Sequence, residues 1–298
     1  MELELHQGAM RAVVATHGGE LISLKDRKGT EYIWGGDPAF WSGRNPTLFP
    51  VVGSLKNGTV QCGRASYAMG RHGFARNSEF AIEDQGEDFV VFGLRETPET
   101  LKQYPFRFSL RIRHQLLENG FRTSFAVENR DETAMPFCIG GHTAFRCPLL
   151  KGETFQDYRL VFDQTEEAST LLLTPEGCLR HGGREPLLRN TAELALDREL
   201  FDRLDTVIFQ GLRSGGVSLL HSQKRHGVRL DFSEFPMVAF WTKGHAQAPF
   251  ICLEPWHGCA ALDNESGQLA DKPHCILLQP GEEKRLGYTV TIQEGRDF

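Results

Sequence analysis

An all-β chain, folded as one large antiparallel sandwich, is the architecture that three features of the sequence predict. Apolar and polar residues alternate with a period of two, Gly, Pro, Asn and Asp punctuate the runs at short intervals, and no helical stretch is long enough to cross between parallel strands. The clearest case is Phe106 to Leu116, where every even position but His114 is strongly apolar and every odd one is polar. Glu118-Asn119-Gly120 supplies turn chemistry, and Phe121, Thr123, Phe125 and Val127 then alternate with Arg122, Ser124 and Glu128. The two runs therefore form a hairpin, and its Phe-rich faces must cover a core.

Shorter strands read out in order at Met10 to Ala15, Phe89 to Leu94, Arg159 to Phe162, Val217 to His221, Val228 to Phe232, Met237 to Trp241 and Tyr288 to Ile292. Helix is confined to Pro98–Gln103 and the Asp197–Phe201 turn, neither of which can span a βαβ unit. With 298 residues and 40% hydrophobic content the chain can bury a large core. It shows no short repeat, low-complexity tract or linker, so residues 1–298 read as a single domain.

Composition narrows the partners. A formal charge of −6 with scattered Lys and Arg lacks the basic face that nucleic acid requires. The start Met1-Glu2-Leu3-Glu4-Leu5-His6 has neither the basic n-region nor the apolar core of a secretory signal, and no apolar run approaches a membrane span. A cytoplasmic protein with no membrane partner is expected. The seven cysteines are odd in number and contain no C-x-x-C pair, so reduced thiols are the default. Neither Cys252/His257/Cys259 nor Cys138/His142/Cys147 has a usual zinc spacing, and no metal is expected.

Five places carry the chemistry. Phe250-Ile251-Cys252-Leu253-Glu254-Pro255-Trp256 sets one carboxylate inside an apolar run that reads as a buried strand ending at the proline. Burying an ionised carboxylate is costly unless it is paired, so Glu254 is either a satisfied structural acid or a base with a tuned pKa. Position alone leaves both open. Arg44 to Gly53 is a loop too apolar for an ordinary surface turn, and Leu48 and Phe49 read as a wall against the core. Gly70-Arg71-His72-Gly73-Phe74-Ala75-Arg76 places a histidine between arginines, and a surface turn is the simpler reading. In Ile139-Gly140-Gly141-His142 the glycines remove bulk before an imidazole, so the ring can face a cleft and transfer protons near neutral pH. Asp205, which opens the β-branched run after Leu204, either orients a hydroxyl-bearing ligand or caps a turn.

Taken in order, Asn45-Pro-x-Leu-Phe-Pro50, His72-Gly-Phe-Ala-Arg76, Gly141-His142-x-Ala-Phe145, Leu204-Asp205 and Leu253-Glu254-Pro-Trp256 resemble the motifs of the aldose 1-epimerase (mutarotase) family, nearest to its LacX-like branch. Each motif alone is weak, but together they span most of the chain. The resemblance implies a galactose mutarotase-like β-supersandwich with a sugar cleft, in agreement with the strand pattern. It implies Glu254 as general base and His142 as general acid, with His72 and Asp205 holding sugar hydroxyls. The implied reaction opens the ring, rotates about C1–C2 and recloses to the other anomer, with no metal or redox cofactor. An ionised Glu254 beside a protonated His142 should raise the histidine pKa and lower that of the carboxylate.

The chain departs from the family pattern at three points. Ser54 stands where many members carry an arginine, so Arg71 or Arg76 is expected to supply the lost donor. Thr143 replaces the usual proline after the acid histidine. His257-Gly258-Cys259 follows the Glu254 motif and is expected at a rim peculiar to this chain. Among the aromatics, Trp256 is expected to line the cleft, with Trp241 and Phe74 the other candidates for stacking on a sugar. The expected partner is a free or phosphorylated aldose, and the protein a monomer or homodimer. The alternatives are a hexose-6-phosphate mutarotase or a non-catalytic carbohydrate-binding or sensing protein of the same fold.

Overall fold

The 106–128 pattern forms the hairpin it predicts: Phe108–Leu117 pairs antiparallel with Gly120–Asn129, Ile112 opposite Phe125. The computed structural model describes residues 1–295. That hairpin sits inside a nine-stranded antiparallel sheet. On one side of it run Phe89–Arg95 and Ala81–Gln85. On the other run Glu283–Gln293, Gly227–Asp231, Gly216–His221 and Tyr158–Leu173, with Leu179–Ala195 at the edge. The predicted strands at Met10–Ala15 and Met237–Trp241 have the expected bounds. Among the described residues helix is limited to short pieces: Pro98–Leu101 begins at a Thr97 cap, and Arg198–Leu204 begins where the Asp197 side chain accepts from Glu199 N at 3.1 Å. Among the described residues no helix is long and apolar enough to cross a membrane.

A second, five-stranded sheet positions the site. Phe250–His257 lies inside it, with Met237–Trp241 and then Thr206–Gln210 on one side. On its other side Ile139–Gly140 and Thr143–Arg146 pair with it in one continuous register. Residues alternate between faces. The odd-numbered Ile251 and Leu253 join the core shared with the nine-stranded sheet, where Phe162 packs on Phe209 and Phe240. The even-numbered Cys252, Glu254 and Trp256 face the other way, so this sheet is buried on both sides.

Two polar residues on the inward face of the hairpin, His114 and Thr123, are also explained. His114 occupies a core position, 1% exposed, directly opposite Thr123. Its Nδ1 lies 3.0 Å from Thr123 Oγ1 and its Nε2 2.8 Å from Gly19 O, so the neutral ring donates to the carbonyl and accepts from the hydroxyl. Burial pushes its pKa down from 6.5 to about 4, and the hydrogen bond to Gly19 only partly opposes this. Between these values the unfolded chain binds a proton that the folded chain refuses, so stability falls as pH drops through the window. This site alone removes about 3 kcal/mol by pH 4. Urea unfolding of wild type and His114→Gln at pH 7.5 and 4.5 measures it: the variant should lose clearly less stability on acidification. Equal losses would contradict the buried neutral assignment.

Candidate active site

Register brings the two central groups together. In the pairing of 139–146 with 250–257, Gly140 stands opposite Trp256 and Thr143 opposite Leu253, which sets His142 directly across from Glu254 and Gly141 across from Pro255. The proline has no N–H to give the ladder, and Gly141 N instead donates to Pro255 O at 3.1 Å. His142 Nε2 lies 3.2 Å from Glu254 Oε2, with the side chains 8% and 1% exposed. Trp256, two residues on and so on the same face, donates from Nε1 to Glu254 Oε2 at 3.2 Å.

The glycines before His142 serve packing and not an open cleft. Gly141 faces the shared core, where a Cβ would come within 2.6 Å of the Tyr288 ring, and a Cβ on Gly140 would meet Pro255 O at 2.7 Å. Thr143 takes part in the same support. Its hydroxyl donates to Asn45 Oδ1 at 2.7 Å, and Tyr288 OH reaches that oxygen at 3.2 Å. A proline at this position could not make that bond, so the departure at Thr143 adds an anchor for the Arg44–Gly53 loop.

His72 is likewise not on a surface turn. It is buried, with φ 66, its Nδ1 accepting from Gly53 N at 3.1 Å and its own N–H donating to Gly53 O at 3.0 Å. The accepting Nδ1 leaves the proton on Nε2. Burial pushes the His72 pKa well down, and neighbouring His142, Arg71 and Arg76 add to the effect. The rings of His72 and His142 are 5.5 Å apart and nearly perpendicular.

Around this pair lies a cavity of about 160 Å³ that brings together Arg71, His72, Arg76, His142, Glu254 and Trp256. Asp205 lies outside it. It caps the Arg198–Leu204 helix with φ 60, accepts from Thr206 Oγ1 at 2.9 Å, and lines an adjoining cleft of about 450 Å³ with Arg180 and Gly177. Arg71 lines both spaces. Ser54 adjoins the second, since a Cβ on Gly177 would sit 2.9 Å from its Oγ. Ligand sites span on the order of 300–1,000 Å³, so the two spaces together, and not the inner one alone, match a sugar-sized ligand.

Two further sequence expectations are corrected here. Phe74 packs in the core on Phe49 and Phe108, whereas Trp241 does line the inner cavity. His257, Gly258 and Cys259 turn away from the cavity: His257 Nδ1 lies 2.7 Å from His274 O, and Gly258 abuts Cys138. Trp41 and Thr206 line the cavity although neither stood out in the sequence. Trp41 stacks on His142 with ring centroids 5.0 Å apart and meets Trp241 edge-on at 5.3 Å. Its signal was an aromatic pair, Phe40-Trp41, inside a Gly- and Asp-containing loop.

Electrostatics also run opposite to the simple ion-pair expectation. Burial pushes the Glu254 carboxyl well above the usual range; Arg71, the Trp256 indole and Arg76 pull it down, and Asp205 pushes it further up. Burial pushes His142 well down, reinforced by Arg76 and Arg71. Desolvation outweighs the attraction across 3.2 Å, so the proton of the empty pair rests on the carboxyl and the imidazole is neutral. Moving that one proton from Oε2 to Nε2 converts the pair to carboxylate and imidazolium without changing its charge. Cys252 also approaches: ligand atoms of His142, Cys252 and Glu254 lie within 4.8 Å of one another, while burial holds the thiol well up and so uncharged. Among the described residues neither cysteine–histidine grouping considered from spacing is assembled as a metal-ligand group.

Residues 1–291 match the family model described as aldose 1-epimerase. The chain belongs to the aldose 1-epimerase family. Two LacX proteins of Lactococcus lactis subsp. lactis, plasmid and chromosomal, are each 37% identical over 299 residues, covering 98% of this chain and 99% of theirs. A galactose mutarotase related enzyme from Lactobacillus acidophilus is similar at a TM-score of 0.94 and 30% identity, over 100% of this chain and 99% of that one. A galactose mutarotase-like protein from Lactobacillus casei ATCC 334 gives 0.87 and 28%, over 98% and 100%. The fold is thus the galactose mutarotase-like sandwich, and the enzyme class of this aldose 1-epimerase family member is isomerase.

The packing role of Gly141 is testable against a glycine with open space around it. Gly141→Ala should lose about 1–3 kcal/mol by urea denaturation, the usual range for overpacking a core. Gly70→Ala, where a Cβ meets nothing within 4 Å, should change stability by under about 0.5 kcal/mol. Equal effects would mean that Tyr288 does not constrain the backbone before His142.

Proposed function

We propose that the protein interconverts the α and β anomers of an aldose, with Glu254 as general base and His142 as general acid. The observation that carries this reading is the in-register pair itself: a buried carboxyl and imidazole 3.2 Å apart lining one pocket, each held near neutrality by burial. A binding module has no need for an acid and a base at one point.

In this reading the anomeric hydroxyl meets Glu254 and the ring oxygen meets His142. Sugar hydroxyls that donate to the carboxylate favour the ionised form of the pair, so binding draws the proton from Oε2 to Nε2; Arg71 and Arg76 favour the carboxylate but oppose the imidazolium. Glu254 then takes the anomeric proton as His142 protonates the ring oxygen. The C1–O5 bond breaks to leave an aldehyde, which rotates about C1–C2 and recloses. The hemiacetal supplies both leaving group and electrophile, so the step draws on no metal or redox cofactor. His72 donates from Nε2 to a sugar hydroxyl, Asp205 and Arg71 hold the substrate where the two cavities meet, and Trp256 both lines the pocket and steadies the carboxylate.

A phosphorylated aldose is the second reading, favoured by one observation. The adjoining cleft contains Arg71 and Arg180, and among the described residues neither pairs with a carboxylate, while the nearby Arg203 is held by Glu185 at 2.6 Å. Guanidinium groups suit phosphate through paired donors.

Saturation-transfer NMR across a panel of aldoses and hexose 6-phosphates tests both readings. Wild type should accelerate anomer exchange for at least one sugar, and Glu254→Gln and His142→Asn should each lose about 10²–10⁴-fold. The rate should be bell-shaped in pH, because the pair works with one proton and fails with none or two, and its two apparent pKa values belong to the pair. No acceleration of any sugar would leave a carbohydrate-binding role. Full activity in Glu254→Gln would remove the proposed base while leaving the reaction intact.

A further inference from the structure

A short ladder behind the pocket aligns two of the cysteines. Met135–Phe137 pairs antiparallel with Ile276–Leu278, Met135 opposite Leu278 and Phe137 opposite Ile276. One step further in the same register, Cys138 stands opposite Cys275. The Cys138 N–H points out of the ladder and donates to Pro50 O at 2.8 Å, as expected at a non-hydrogen-bonded position of an antiparallel pair. Side chains approach closest at such positions, where Cα atoms are about 4.5 Å apart and within the ~4.4–6.8 Å that a disulfide spans. The sulfurs follow the backbone. Cys275 Sγ donates to Phe137 O at 3.4 Å, the carbonyl just before Cys138. Gly258 walls in the far side, because a Cβ there would collide with Cys138 Cβ and Sγ.

The thiols differ in access: Cys138 is buried, whereas Cys275 is half-buried and follows a turn at His274, φ 57. The neighbouring Cys275 thiol and burial hold the Cys138 thiol well up, and the nearby Lys272 ammonium only partly opposes this, so the more accessible Cys275 is the thiol that meets an oxidant first. We propose that Cys138 and Cys275 form a redox modification site, oxidised to a cross-strand disulfide by a small disulfide such as glutathione disulfide. The Cys275 thiolate attacks one glutathione sulfur, breaking the S–S bond and releasing one glutathione thiolate. The Cys138 thiolate then attacks Cys275 Sγ, forming the protein S–S bond and expelling the second glutathione. The two thiol protons pass to the two glutathiones, and the protein loses the two electrons that glutathione disulfide gains. The bridge reaches toward the site, because Ile139–Gly140 follows Cys138 directly and pairs with His257 and Trp256. Closing it ties Ile276–Leu278 to the root of the strand that carries His142.

Incubation of the reduced protein with glutathione disulfide should lower its intact mass by about 2 Da. Dithiothreitol should restore the mass, and proteolysis should yield one Cys138–Cys275 linked peptide. Cys275→Ser, which leaves the Cys138 backbone contact to Pro50 in place, should show no such loss. A mass that stays at the reduced value, a chain that stops as a stable glutathione adduct, or a linked peptide containing Cys259 or another thiol would each overturn the assignment. If Cys275→Ser fails to fold by near-ultraviolet circular dichroism, the linked-peptide map of wild type decides alone. None of these readouts depends on which sugar, if any, the pocket turns over.

Discussion

One carboxyl group that water cannot reach sets the terms for the rest of this structure. Glu254 is 1% exposed on a strand whose other residues are almost all apolar. Leaving it there without partners would cost several kcal/mol. The sheet answers with register: Pro255 interrupts the ladder where Gly141 and His142 pass, and the imidazole lands opposite the carboxyl. Trp256 adds an indole donor from two residues along the same face. Each of these groups is placed by backbone pairing and not by a flexible loop, so their relative geometry is as rigid as the sheet.

The same burial governs the chemistry. Two opposite charges at contact distance attract strongly in a dry interior, yet removing both from water costs more than their attraction returns unless further hydrogen bonds complete the shell. Within the protein the carboxyl gains one further donor, the Trp256 indole, and the burial of both groups outweighs it. The neutral arrangement therefore prevails, and the charged arrangement lies one short proton transfer away. A ligand whose hydroxyl groups hydrogen-bonded the carboxylate would shift that balance toward the charged arrangement.

How much of this was legible in the sequence follows from which forces leave local traces. Alternating burial does, and the Phe108–Leu117 and Gly120–Asn129 strands are plain to read, down to His114 holding a core position. Leu179–Ala195 was missed because it is a sheet edge with most side chains in water and Gly182, Gly183 and Pro186 along it, so its polar pattern matches a loop. Glu254 and His142 stood out because a lone titratable residue in an apolar setting is visible in one dimension. The purpose of Gly141 was not, since the Tyr288 ring that forbids a side chain there comes from a strand well over a hundred residues away. Trp41 was hidden for the same reason: nothing near it in sequence announces that its ring covers His142.

The division between sheet and loop also explains why reaction type is easier to infer than substrate. Glu254, Trp241 and Trp256 project from paired strands, and His142 from the two-residue step between Ile139–Gly140 and Thr143–Arg146, where a one-residue slip would turn every side chain to the opposite face. Arg71, His72, Arg76 and Trp41 come from connecting segments, which tolerate change far better. The adjoining cleft is assembled the same way, from the 173–180 turn of the long hairpin and the end of the Arg198–Leu204 helix. Ser54 against Gly177 is one such adjustment, leaving Arg71 as the cation that spans both spaces. The geometry of the Glu254–His142 pair is thus set by the hydrogen-bond register of the sheet, while under the proposed function the contacts that would select among sugars belong to parts of the chain that can vary without disturbing it.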